Sequence, residues 1–212
     1  MQEPKGTISD TDTVIREIFQ EQVYGHPKHF DRDKAVIDIG ANLGAFSIFA
    51  LGHAVAEVHA YEPNVDNHKC LVANTAAFKG RIHCHREAVT DKSKKATLYL
   101  SKHTGGHLCF PESGEGKLEQ KRAVASTTLG NAIARCERPV GFVKMDCEGS
   151  EGLIFRDPTP NFWEVPCYSI EYHDNVSPMK SGELVKLFQE NGYTTNLLPR
   201  EGPFGYILAV KP

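Results

Sequence analysis

From residue 35 onward, short apolar runs alternate with longer amphipathic stretches, and this alternation restricts the fold more than any other feature of the chain. Residues 35–39, 58–62, 81–89, 141–146 and 167–173 are brief, poor in polar groups and punctuated by Gly or Pro, so they read as strands. Residues 45–54, 66–78, 127–136 and 181–191 read as helices, the third capped by Ser126 or Thr127 and the last stopped by Gly192. Residues 97–101 read as a short strand before a long Gly-rich loop over 102–117. Residues 194–198 and 206–211 read as a closing hairpin. Strands separated by helices imply a mostly parallel sheet with helices on both faces. The expected fold is therefore a single doubly wound α/β domain over 35–212, Rossmann-like, with a mostly parallel seven-stranded sheet and an antiparallel C-terminal hairpin. Residues 1–34, with a helix over 13–24, form a leader or cap.

A chain of 212 residues with 40% hydrophobic and 24% charged content suits one well-buried domain. Its formal charge of -3 supplies no basic face, so no nucleic-acid partner is expected. The six cysteines, at 70, 84, 109, 136, 147 and 167, contain no Cys-x-x-Cys pair, which argues against a zinc ribbon and for free thiols in a reducing compartment. Residues 1–12 are polar and do not resemble a signal peptide, and no run of 18 apolar residues is present. A cytoplasmic location is expected, without a membrane span.

In an open parallel sheet, ligands bind beyond the carboxyl ends of the strands where strand order reverses. The first strand here ends in Asp38-Ile39-Gly40-Ala41-Asn42-Leu43-Gly44. Gly40 lets backbone approach a ligand, and Gly44 lets the next helix pack closely. A carboxylate at Asp38 repels a pyrophosphate and suits an ammonium, such as the methionine end of S-adenosylmethionine. Gly-x-x-x-Gly also departs from the dinucleotide Gly-x-Gly-x-x-Gly, with Asn42 where the second glycine would stand. Glu62, closing the second strand, is placed to accept hydrogen bonds from both ribose hydroxyls. Ala88, Val89 and Asp91, at the end of the third, are placed to read adenine.

With those residues laid out, the chain resembles the FkbM-type methyltransferases. The resemblance rests on residues 36–44, Tyr61-Glu62-Pro63-Asn64, Asn74, Ala88 with Asp91, Thr128-Leu129, residues 142–151 and Ile170-Glu171-Tyr172-His173. The Lys144-x-Asp146-x-Glu148-Gly149-x-Glu151 block is its most specific part. The resemblance implies a class I methyltransferase fold and O-methylation of hydroxyls on sugars, lipids or polyketide-like products, so a small-molecule, sugar or glycan hydroxyl acceptor is expected. Pro63 and Asn64 join the expected cofactor loop.

Lys144, Asp146 and Glu148 share one strand face if the chain stays extended, as do Glu171 and His173 on the neighbouring strand. Methyl transfer to a hydroxyl needs the oxygen held in line and its proton removed. His173 or Asp146 is the expected base. A divalent ion (Mg²⁺, Mn²⁺ or Fe²⁺) held by Asp146, Glu171 and His173 is the second option. The third is a structural network in which Lys144 pairs with Glu171. A nucleotide-dependent oxidoreductase and a non-catalytic interaction module are the rivals to the whole reading. Acidic balance and the lack of an Asn-Pro-Pro-Tyr-like motif disfavour RNA methylation.

Four features outside this constellation complete the reading. His83 and His85 alternate on the third strand, a pair that alone makes a poor metal site. His103 and His107 flank Gly105-Gly106 in a loop able to close on substrate. Phe162 and Trp163 read as a packing anchor, and Tyr24 as a cover for the cofactor's open side.

Overall fold

The computed structural model describes residues 1–5, 11–92, 94–100, 120–156 and 160–212. His103, His107 and the rest of the Gly-rich loop lie outside the described residues, as does Cys109.

The main sheet is built from β1 (Ala35–Ile39), β2 (Glu57–Tyr61), β3 (Ile82–His85), β7 (Val140–Met145), β8 (Cys167–His173), β9 (Thr194–Pro199) and β10 (Phe204–Val210). Its order is β3-β2-β1-β7-β8-β10-β9. The pairs β2–β3, β1–β2, β1–β7 and β7–β8 are parallel, and β10 runs antiparallel to both β8 and β9. This is the expected seven-stranded class I architecture with its antiparallel hairpin.

Every residue of β1, β2 and β7 is buried, which explains their mostly apolar composition, broken only by Asp38, Glu57, His59 and Lys144. Alternate residues of β1 feed two cores. Ile37 and Ile39 pack with α4 (Leu129–Ala134) and α6 (Ser181–Glu190), whereas Val36 packs with α2 (Ala45–Gly52) and with Leu71 of α3 (Val65–Asn74). In the first of these cores Phe162 is buried and Trp163 stacks on Phe155 at 5.8 Å, so the pair acts as the expected packing anchor.

Three elements differ from the reading of the chain. The expected third strand breaks after His85. Its end, β4 (Ala88–Val89), joins a second sheet of order β4-β6-β5, with β5 (Lys94–Leu100) and β6 (Gln120–Thr127). An ion pair from Arg135 to Glu87, 2.5 Å long, fastens the break to the end of α4. No turn residue marks it, and β6 was not expected because it opens on Gln120, Lys121 and Arg122 and, among the described side chains, is buried only at Ser126 and Thr127. The N-terminal helix is α1 (Thr11–Ile15), continuing as a π-helical stretch over Arg16–Glu21 that ends at Gln22 with φ 52°. A one-turn helix, α5 (Glu151–Ile154), follows the loop after β7, and all four of its residues are buried.

Among the described residues, no helix is long and apolar enough to cross a membrane. The five described cysteines are free thiols.

Candidate active site

Strand order reverses between β1 and β7, and there the loops after the two strands meet. Gly40 makes the meeting possible. It adopts φ +74°, and a Cβ on it would stand 1.7 Å from the carbonyl oxygen of Asp146. It thus lets loop meet loop, and it also lines the cavity beyond them. Gly44, with φ +91°, caps α2, and its missing Cβ makes room for Leu71 of α3. A cavity of about 480 Å³ opens beyond the two loops, lined by Gly40, Ala41, Asn42, Glu62, Pro63, Ala88, Val89, Lys144, Asp146, Glu148 and Glu171, among others.

Glu62 is buried, and each carboxylate oxygen accepts one backbone amide, from Asn64 at 2.8 Å and from Asn42 at 2.9 Å. Burial dominates those bonds and raises its pKa to about 8. Each oxygen retains a lone pair for another donor. Asn42 holds φ 50°, and its side-chain oxygen is buried without a hydrogen-bond partner. Asn64 caps α3, accepting from the amides of Asp66 and Asn67, and takes its part by orienting Glu62.

Asp38 lies beneath the floor of the cavity, fully buried. One oxygen accepts from Ser47 at 2.7 Å and the other faces Lys144 Nζ at 3.3 Å. Asp38 and Lys144 are register partners on β1 and β7. The carboxylate expected to meet a ligand's ammonium is already paired within the protein. It anchors Lys144, whose amine also donates to the Gly40 carbonyl at 2.9 Å. Burial opposes the charge on Lys144, but Asp38 and Asp146 overcome it and hold its pKa above the ordinary value. Asp91 pairs with Lys92 at the surface and does not line the cavity.

At the other wall, Asp146, Glu148, Glu171 and His173 come together. The strand face does not continue to Glu148 as expected, because β7 ends at Met145 and Glu148 turns with φ 53°. This left-handed bend, followed by Gly149 at φ +99°, brings Glu148 Oε2 within 3.4 Å of His173 Nε2. His173 Nδ1 lies 3.2 Å from Glu151, a fully buried carboxylate that also accepts the amides of Cys147 and Gly149. Burial disfavours the imidazolium, yet Glu151, Glu148 and Asp146 outweigh it and raise the His173 pKa to about 10. Burial and the surrounding acids push Glu148 and Glu171 up to about 8.

His173 is clamped between carboxylates that hold its pKa above the ordinary value, and it is not among the residues lining the cavity. The donor atoms of Asp146, Glu171 and His173 lie within 4.8 Å of one another. The ion pairs of Lys144 are with Asp38 and Asp146, where the structural-network alternative pairs it with Glu171.

Tyr24 stands closer to the chemistry than a cover would. Its buried hydroxyl lies 2.8 Å from Asp146 Oδ2 and 2.5 Å from Glu171 Oε2, and the Lys144 amine sits 5.1 Å above its ring. The π-helical stretch aims it inward, between Phe46 and Tyr206. No local pattern near Tyr24 reports these partners, which are more than 120 residues away.

Residues 38–195 match the methyltransferase FkbM domain family. The 31-O-demethyl-FK506 methyltransferase FkbM of Streptomyces tacrolimicus is 28% identical, over 85% of this chain and 81% of its own. Among solved structures, methyltransferase FkbM from Methylobacillus flagellatus superposes with a TM-score of 0.59 at 16% identity, covering 92% of this chain. The chain spans about half, 47%, of that protein. TrmK of M. capricolum, solved with S-adenosylhomocysteine, gives 0.50 at 12% identity, over 90% of this chain and 66% of its own.

Proposed function

The chain belongs to the FkbM methyltransferase family, and from that premise we propose that it moves a methyl group from S-adenosylmethionine to a hydroxyl of a small-molecule or glycan-like acceptor. The observation that carries this reading is a cavity with a ribose-type carboxylate on one wall and an under-neutralised carboxylate cluster on the other. Glu62 keeps one free lone pair on each oxygen for the two ribose hydroxyls. Ala88 and Val89, with Tyr61, form an apolar edge for adenine, and the orphaned Asn42 oxygen offers an acceptor to the same ligand.

Five carboxyls, from Asp38, Asp146, Glu148, Glu151 and Glu171, converge on two cations, Lys144 and His173. A sulfonium and an ammonium entering beside them supply the missing positive charge, and the raised carboxyls can then ionise. Asp38 serves this cluster from below by fixing Lys144. The same negative wall opposes a polyanionic acceptor, which favours a neutral hydroxyl compound over RNA.

Proton removal falls to the acids. Glu171 lines the cavity, titrates near neutrality and accepts from Tyr24, so it is the base, with Asp146 orienting the acceptor hydroxyl. His173 holds Glu148 and Glu171 in place as their counter-cation. Transfer proceeds by in-line attack of the acceptor oxygen on the methyl carbon. The C–S bond breaks as the O–C bond forms, and the proton goes to the carboxylate.

The test is a panel of hydroxylated metabolites and glycans, assayed for S-adenosylhomocysteine formation with the wild type and with Glu171→Gln. Hydroxyl-dependent turnover that falls at least about tenfold in Glu171→Gln supports the reading. Turnover of amine acceptors alone, or an unaffected Glu171→Gln, contradicts it.

A further inference from the structure

At the β3 edge of the main sheet, outside the cavity, β2 and β3 bring three histidines and a glutamate together. His59 stacks on His83 with ring centroids 4.5 Å apart and on His85 at 5.2 Å. Glu57, on the same face of β2, is buried, and Arg138 donates its amide to one carboxylate oxygen at 2.9 Å. The other oxygen faces His59 Nε2 at 3.7 Å and His83 Nε2 at 3.5 Å. Glu57, His59 and His83 thus offer one donor atom each, all within 4.8 Å of one another.

His59 Nε2 carries the inference. The residue is 3% exposed, and this nitrogen is buried with no hydrogen-bond partner. A proton shared with Glu57 would draw the two atoms to about 2.8 Å. At 3.7 Å they are too far apart for a hydrogen bond and suitably spaced for a common ion, since ligand atoms around tetrahedral Zn²⁺ at about 2.1 Å stand about 3.4 Å apart. The remaining ring nitrogen, His59 Nδ1, contacts His85 Nε2 at 3.1 Å. With its proton donated there, His59 keeps the lone pair of Nε2 free, and this nitrogen lies within reach of Glu57. That is the outer hydrogen bond by which metal-ligating histidines are oriented. The side chain of His83 is 38% exposed, so a water can reach the fourth position and an ion can enter.

We propose that Glu57, His59 and His83 bind a borderline divalent transition ion of the Zn²⁺ class, with His85 orienting His59. The site pins β3, the edge strand of the main sheet, to β2. Two imidazoles and one carboxylate suit such an ion and would bind Mg²⁺ or Ca²⁺ poorly. Neither His83 nor His85 suffices alone. The adjacent strand supplies the other two ligands.

Isothermal titration of the full chain with ZnCl₂ tests this, beside the variants His83→Ala, His85→Phe and Glu171→Gln, each checked for folding by circular dichroism. One equivalent should bind to the wild type and to Glu171→Gln with equal affinity. His85→Phe should weaken binding about 10- to 100-fold, and His83→Ala, a change at a partly exposed side chain, should abolish the site. Co²⁺ loaded in place of Zn²⁺ should show d–d bands without thiolate charge transfer. Binding that survives His83→Ala, disappears in Glu171→Gln, shows thiolate bands, or is absent from the wild type overturns the proposal.

Discussion

Replacing Tyr24 by Phe removes one hydroxyl from between two carboxylates and leaves the ring packed on Phe46 and Tyr206. The hydroxyl sits 2.5 Å from Glu171 and 2.8 Å from Asp146, so its single proton moderates their mutual repulsion. A hydrogen bond to a charged acceptor contributes about 1.5–3 kcal/mol, and about 1.4 kcal/mol corresponds to one pKa unit. Without it the ionised form of Glu171 loses that support. The carboxyl pKa, already about 8, should climb by about one to two units. If Glu171 acts as the base, the rate requires its ionised form, and kcat/KM reports the free enzyme. The profile of kcat/KM against pH should therefore rise with an apparent pKa about one to two units higher in Tyr24→Phe. Activity near pH 7.5 should fall about 10- to 100-fold and recover in alkaline buffer. A loss of equal size at every pH would show that Tyr24 acts only on packing or cofactor placement. An unchanged profile would remove both Tyr24 and Glu171 from the proton path.

Three further outcomes follow from the same geometry. Glu62→Gln replaces one acceptor oxygen of the carboxyl proposed to hold the ribose by an NH2 donor, and should raise the Kd for S-adenosylhomocysteine about 10- to 100-fold by calorimetry, with little change in fold. Gly40→Ala forces a Cβ against the Asp146 carbonyl at a positive φ and should cost at least about 2 kcal/mol in urea denaturation, together with cofactor affinity; a neutral outcome would mean the two loops are not in contact. For Glu62, Glu148 and Glu171 the folded pKa, about 8, exceeds the ordinary 4.5, so the folded chain holds more protons than the unfolded one between those values. Their contribution is most favourable below pH 4.5 and is lost as pH rises through 8, and the raised pKa of His173 acts in the same direction up to about 10. The Tm of the unliganded protein should accordingly fall between pH 5 and pH 8, and a rise over that range would contradict the burial of these groups.

The parts of the fold that were legible are those whose two faces are both buried. β1, β2, β7 and β8 declare themselves by composition, because a strand with core on each side can hold few polar residues. β6 and the break after His85 were illegible for the complementary reason. Their positions depend on a distant ion pair and on register with β5, not on a local pattern. The loop after β1 and Glu62 could be placed from spacing alone, and the structure sets both against one cavity. The partner of Asp38 could not, since it depends on the register between β1 and β7, whose pairing residues lie about 100 positions apart. The raised pKa of His173 was equally hidden, because it depends on Glu151, a residue that belonged to the family motif without an evident role. Spacing placed His83 and His85 together, but their partners His59 and Glu57 become visible only once β2 lies beside β3.

Binding of S-adenosylmethionine, followed calorimetrically in two buffers of different ionisation enthalpy near pH 7, bears most directly on the central claim that this cavity receives a positively charged cofactor. One molecule should bind, and it should expel protons from the raised carboxyls at Glu148 and Glu171, whereas S-adenosylhomocysteine, lacking the sulfonium charge, should expel fewer. No binding of either compound, or equal proton release by both, would contradict the account.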